Sequence, residues 1–246
     1  MDRGFYTLGS GMITQNRKLT GISNNLANIQ TNGYKRKVVT STTFGDMVVS
    51  RLDSKTQPTT IGTLSLATVA DKTNVIHSEG TLKSTQRNLD FAIRGEGFFA
   101  VQGNNGTVYT RDGSFNVDDQ GYLVLNGQGR VLGVNGPIRV GTDEFTADSQ
   151  GNIAVNGAAV GKLAVYNFAD YNNLKINGEG LYTAAGGAAL VQNSDIAWKT
   201  LEGSNVDAAQ EMTNAMAAQR ELQNCSQAIK MYDSVIGRAV TEIGKI

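Results

Sequence analysis

The side chains that carry most protein chemistry are scarce in this chain. Its 246 residues include one histidine, His77, and one cysteine, Cys225. A hydroxyl or thiol nucleophile needs a base beside it, so a Ser-His or Cys-His arrangement would have to recruit His77 from "NVIHSEG". A zinc site needs three or four nitrogen, sulfur or oxygen ligands, and no second His or Cys exists to build one. Cys225 falls inside an apolar repeat and reads as a small core residue. One cysteine also excludes an intrachain disulfide.

Other patterns fail on context. "GEGFFA" at 95–100 has the form G-x-G-x-x-A, which brings a pyrophosphate to a helix start when a helix follows. Here "FFAVQ" follows, which is strand-forming, and "GQGRVLG" at 127–133 fails for the same reason. Asp118, Asp119 and Asp148 raise calcium or paired-carboxylate hydrolysis. None has the spacing of an EF-hand loop, and Asp in a D-x-x-G turn ordinarily caps its own backbone. "YKRK" at 34–37 reads as a solvated basic face. No catalytic, cofactor-binding or metal-ligating residue is therefore assigned, and an enzyme is not expected.

Composition narrows the classes further. Lys plus Arg and Asp plus Glu number 22 each, and a chain without basic excess is a poor candidate for nucleic acid or anionic lipid. The 29 Gly against 2 Pro imply many tight turns rather than a Pro-rich linker. No apolar run approaches the roughly 20 residues that span a bilayer. The N-terminus, "MDRGFYTLGSGMITQNRKL", has no compact apolar stretch or small-residue cleavage site, so a cleaved secretory signal is not expected.

The elements follow from periodicity. Phe5, Leu8, Met12, Gln15, Leu19, Ile22, Leu26 and Ile29 are spaced by threes and fours, the a/d pattern of a coiled-coil helix. Gly4, Gly9, Gly11 and Gly21 weaken it by about 1 kcal/mol for each interior Gly, so the helix needs a partner. The other terminus supplies one. Ser204 with Asp207 forms a capping-box-like start, and Ala215, Ala218, Leu222, Cys225, Ile229, Tyr232, Ile236, Ala239, Ile243 and Ile246 repeat the same spacing.

Between the helices, "LDFAI", "GFFAVQ", "TVYTR", "GYLVLN", "RVLGV", "IAVNG" and "KLAVYNF" alternate with Gly-rich turns, as in an antiparallel β module. "FNVDDQGYLVLNG" from Phe115 repeats as "FTADSQGNIAVNG" from Phe145, predicting two similar hairpins turned at Asn126-Gly127 and Asn156-Gly157. The fold class is thus mainly β with α: a central antiparallel all-β domain, with N- and C-terminal helices pairing as a coiled coil. The expected divisions are a helix over 1–30, an extended connector over 31–75, the β domain over 76–200 and a helix over 201–246.

"NNLANIQTNGYKR" at 24–36, "LDFAIRGEGFFAVQ" with "YTRDGSFNVDDQGYLVLNGQGRVLG", and "LEGSNVDAAQEMTNAMAAQRELQ" occur in this order. Together they resemble the bacterial flagellar axial proteins, which comprise rod, hook and hook-filament junction proteins. The resemblance implies a structural subunit whose terminal helices pair and pack into a hollow helical tube. The assembly residues it points to are Phe5, Leu8, Met12, Leu19, Ile22 and Leu26, with Leu222, Ile229, Ile236 and Ile243. It also implies self-association, rod and hook subunits as partners, a flagellar basal-body location, and export by the flagellar type III apparatus without a cleaved signal. No small-molecule substrate and no nucleic acid are expected. "FGDMV" looks like an export-gate element with Phe44 and Val48 as its apolar ends. Length and the single β domain resemble the rod proteins, and the short stretch from Phe44 to Asp90 leans toward the proximal rod, with distal rod or another axial position as the alternative. A β-domain binding module with a monomeric helix hairpin is the competing class.

Overall fold

The computed structural model describes the chain except residues 1, 2, 44, 46, 54, 55, 65–67, 104, 105, 178, 179, 185, 245 and 246; of the side chains at 3, 47–59, 64, 68, 71 and 243 nothing is described either. The chain divides into two units. One comprises Met1–Ala27, Lys37–Val75 and Asp207–Ile246, the other Asn28–Arg36 and Ile76–Val206.

In the first unit, α1 (Arg3–Ala27) packs against α2 (Ala208–Ile243). At 1.5 Å per residue the 36 residues of α2 span about 54 Å. Its start differs from the Ser204 expectation. Asp207 is the cap, its carboxylate accepting from the amides of Ala209 and Gln210, while the Ser204 hydroxyl turns to the amide of Val206. The carboxylate answers two of the orphan donors at the helix start. Residues 37–75 run out as β1 (Lys37–Thr43) and β2 (Met47–Asp53) and return as β3 (Thr56–Leu64) and β4 (Thr68–Val75). β1 pairs antiparallel with β4 and β2 with β3, so the stretch is a ladder formed by one segment folded back on itself. The Val and Thr of "KVVTSTT" suit that pleat, and α1 lies against β1 and β4.

The second unit is antiparallel throughout its described pairings. Its strands are β5 (Leu82–Ser84), β6 (Phe91–Arg94), β7 (Phe98–Gly103), β8 (Gly106–Thr110), β9 (Phe115–Val117), β10 (Leu123–Leu125), β11 (Gly129–Gly133) and β12 (Gly136–Pro137). They continue as β13 (Thr146–Ala147), β14 (Asn152–Val155), β15 (Ala158–Lys162), β16 (Val165–Phe168), β17 (Leu174–Ile176), β18 (Tyr182–Ala184), β19 (Ala188–Leu190), β20 (Asp195–Trp198) and β21 (Thr200–Glu202). The main sheet runs β17-β18-β8-β7-β11-β10-β9, with β12 on β11 and β16 joining β7 to β19. β7 is buried on both faces. Its period of two sends Phe98 and Ala100 to a cluster with Tyr109, Phe168 and Tyr182, and Phe99 and Val101 to the larger core around Phe91, Phe115, Leu123 and Ile196.

The internal repeat is structural. Asp118 Oδ1 accepts from the amides of Gln120 and Tyr122, and Asp148 Oδ1 accepts from those of Gln150 and Asn152. These carboxylates close turns, as the D-x-x-G context predicts. The Asn-Gly turns differ from one another. Asn156 and Gly157 both have positive φ, 50° and 80°, as a two-residue hairpin requires, whereas in the first copy Gly127 takes φ 71° within a three-residue loop closed from Gln128 to Leu125.

His77 is a packing residue. It stacks on Tyr171 at 4.8 Å between ring centroids and meets Phe98 and Tyr182 at 5.9 and 5.5 Å. Burial, followed by the positive charges of Lys35 and Arg111, lowers its pKa to about 4. An unfolded chain takes up this proton near pH 6.5, so between about 6.5 and 4 the unfolded state binds more protons and stability falls as pH falls. Urea melts of the full chain at pH 7 and pH 5 should show that loss, and His77→Phe should flatten it. An unchanged slope in His77→Phe would assign the acid sensitivity to other groups.

Candidate assembly interface

The two helices of the first unit run antiparallel in a register visible from three contacts. A Cβ placed on Gly4 would lie 3.0 Å from the Tyr232 ring, and one on Gly11 3.7 Å from Cys225 Sγ. Asn25 Nδ2 donates to Glu211 Oε2 at 3.0 Å. Seven residues forward on α1, from Gly4 to Gly11, match seven back on α2, and the fourteen to Asn25 match the fourteen to Glu211. The line of closest approach on α1 therefore runs over small and polar residues, with Thr14 and Asn25 buried. At Gly11 an added Cβ would make only an ordinary contact, but Gly4 leaves room for the Tyr232 ring. Gly21 does the same toward β1, where its Cβ would lie 3.1 Å from Val39.

Asn25 is also a joint. It is buried, and besides Glu211 it exchanges two hydrogen bonds with Lys37, its Nδ2 donating to the Lys37 carbonyl at 2.8 Å and its Oδ1 accepting from the Lys37 amide at 3.0 Å. One side chain thereby ties the end of α1, the start of α2 and the start of β1. Glu211 lies in the first turn of α2, where the helix dipole favours its charge.

The second unit holds a buried ionic cluster built from "TNGYKR" and "LEGSN". Lys35 Nζ lies 2.5 Å from Glu202 Oε1, with side chains 1% and 0% exposed, and Arg111 Nη1 lies 3.1 Å from Glu202 Oε2. Lys35 also donates to the Ser78 carbonyl, and the Gly80 amide donates to Glu202 Oε1. Burial pulls the Lys35 ammonium below its usual pKa, and Glu202 opposes that pull. Gly33 has φ 68°, and a Cβ there would meet the Arg111 and Asp112 backbone at 2.4 Å; its amide donates to the Glu202 carbonyl. Asn205 accepts from the Arg36 amide and donates to the Ile76 and Ser78 carbonyls. This corrects the expectation for "YKRK": Lys35 is not solvated, because Glu202 and Ser78 receive its charge.

The assembly residues expected from the sequence are distributed along the helices. Leu8, Met12, Leu19, Ile22, Leu26, Leu222 and Ile229 are half-buried, Phe5 is 45% exposed and Ile236 is at the margin of exposure. Ile243 ends α2, with its side chain outside the described residues. Phe44 also lies outside them, and Val48 is described only as backbone in β2. Pairing leaves large apolar side chains uncovered. Phe5, Tyr6 and Ile13 on α1, and Met231, Val235 and Val240 on α2, are all exposed. Since Gly4 meets Tyr232, the first two and the last three gather at one end of the helix pair. Among the described residues no three of His, Cys, Asp and Glu come together as metal ligands.

Three protein-family models match parts of this chain: "Flagella basal body rod protein" over residues 5–35, "Flagellar hook protein FlgE/F/G D1 domain" over 92–160, and "Flagellar basal body rod FlgEFG protein C-terminal" over 199–242. Full-length relatives are similar too. The flagellar basal-body rod protein FlgG of Bacillus subtilis is 34% identical over 98% of both chains. The flagellar hook-basal body complex protein FlhO of the same organism is 31% identical over 100% of both. The flagellar basal-body rod protein FlgF of Caulobacter vibrioides is 30% identical over 100% of both.

Proposed function

This chain belongs to the flagellar basal-body rod family, and on that premise we propose that it is a non-enzymatic structural subunit whose terminal helices pair as a coiled coil and pack against those of neighbouring subunits in a hollow helical tube. The observation that carries this reading is the apolar surface the helix pair leaves open: Tyr6, Met231, Val235 and Val240 are each more than 60% exposed. Large apolar side chains left open at one end of a helix pair are costly in water and mark a site of association. Rod and hook subunits are its natural neighbours, since the heterologous contacts of an open helix join unlike patches of successive subunits. Export through the flagellar type III apparatus and residence in the basal body belong to the same reading. The short stretch from Phe44 to Asp90 supports a proximal place in the rod. Deleting the gene should leave cells without complete hook-basal bodies, and a tagged copy that restores motility should copurify with them. Normal flagellation in the deletion strain, or a motile strain whose tagged copy is missing from purified hook-basal bodies, would overturn the proposal.

A further inference from the structure

Charge is unevenly placed along the N-terminal part of the chain. Between Asp2 and Asp46 there is no Asp or Glu, while Arg3, Arg17, Lys18, Lys35, Arg36 and Lys37 all fall there. In the first unit part of this charge lines a groove of about 400 Å³ between α1 and the β1–β4 ladder, where Arg17 and Lys37 are joined by Lys72 of β4. Thr20 and Asn24 add polar side chains, and none of the lining residues carries a carboxylate. Arg17 Nη1 donates to the Ala70 carbonyl at 3.4 Å, which steers its guanidinium along the groove.

We propose that this groove receives the acidic loop at 141–145 of a second copy of the chain; the inference rests on the assembly reading above. The groove is too small for a helix about 10 Å across but admits the tip of a loop. Of the exposed acids of the second unit, Glu79, Asp119, Asp143 and Glu144 have no carboxylate hydrogen bond or ion pair among the described residues, and only the last two are sequence neighbours. Asp118 serves its own turn and Arg130, Asp148 serves Gln150 and Asn152, and Asp170 serves Asn172. Asp143 and Glu144 are adjacent, exposed, and among the described residues neither carboxylate has a hydrogen bond or ion pair. Their backbone is nevertheless fixed. Asn88 donates to the Asp143 carbonyl, the Thr142 hydroxyl accepts from the Glu144 amide, and the buried Phe145 ring stacks on Phe91. A loop held in shape loses little freedom on docking. Groove and loop are different patches on one chain, as the heterologous contacts of an open helical assembly require.

The test is association of the purified full-length chain, followed by sedimentation across concentration at low and high salt. Lys72→Glu and the double variant Asp143→Lys/Glu144→Lys should each raise the concentration of half-association about tenfold, as expected for charge contacts. Combining all three changes should restore association, and circular dichroism of each variant should match the wild type. Association indifferent to both reversals would overturn the proposal. Weakening by Lys72→Glu that the loop reversal does not rescue would also overturn it and assign the groove to another acidic partner. A wild-type chain that stays monomeric at every concentration would overturn the assembly reading as well, which separates the two failures.

Discussion

Replacing Glu202 by alanine is expected to destabilise the second unit by about 3–5 kcal/mol, the cost of removing one partner from a buried ion pair. Glu202 is fully buried and its two oxygens are divided between Lys35 and Arg111, whose side chains are nearly as inaccessible. Without the carboxylate, two cations are left facing each other in a site closed to water. A domain's whole stability is about 5–15 kcal/mol, so the variant should lie near the edge of folding at 37 °C. Glu202→Gln keeps the shape and one acceptor oxygen and should fall between. The contrast is Asp195→Ala, which removes only an exposed pair at 3.9 Å to Arg94 and should cost less than about 1 kcal/mol. Urea melts followed by Trp198 fluorescence read all three, because Trp198 is fixed in the same unit by its bond to the Asn88 carbonyl. Equal midpoints for Glu202→Ala and Asp195→Ala would show that Glu202 contributes no more than a surface charge.

The central strands were legible because alternation and Asn-Gly turns act locally: each apolar run, such as "GFFAVQ" or "RVLGV", contains a strand in the structure. The terminal helices were legible for the same reason, from spacings of three and four. What the pattern did not show was which residues of α1 meet α2. Hydrophobicity marks Phe5 and Met12, yet the contacts to Tyr232, Cys225 and Glu211 come from Gly4, Gly11 and Asn25. Periodicity weighs the side chains that are present, whereas close approach depends on those that are missing. Lys35 was hidden differently. Its two basic neighbours, Arg36 and Lys37, suggest a wet surface, and the carboxylate that buries it stands at Glu202, far along the chain. A Glu between Leu201 and Gly203, at the end of a strand, was the available sign that a buried cation must be found for it. The self-pairing of residues 37–75 likewise depends on partners distant in sequence, such as Lys37 with Val75, which Thr-rich composition does not report.

Val235→Asp is expected to abolish assembly while leaving the isolated chain as stable as the wild type. Val235 is 65% exposed on α2, one turn after the equally open Met231, so within a lone chain an aspartate there meets water and costs less than about 0.5 kcal/mol. In an assembly the same position would bury an unpaired carboxylate. It would also lose the roughly 1.5–3 kcal/mol that a buried valine contributes. Each 1.4 kcal/mol is about tenfold in affinity, so the concentration for association should rise by about ten- to a hundredfold from the lost burial alone, and cells carrying the variant should be non-motile. Leu26→Asp should also block assembly, but by another route. Leu26 is half-buried beside Asn25 at the joint of the two helices, so an aspartate there should lower helical dichroism in the monomer while the second unit stays folded. Melting followed at 222 nm, sedimentation and swimming therefore separate a surface needed by neighbours from one needed within the chain. Motile Val235→Asp cells would place the subunit contacts on a different face of the helix pair, and normal flagella in Leu26→Asp cells would refute the tube.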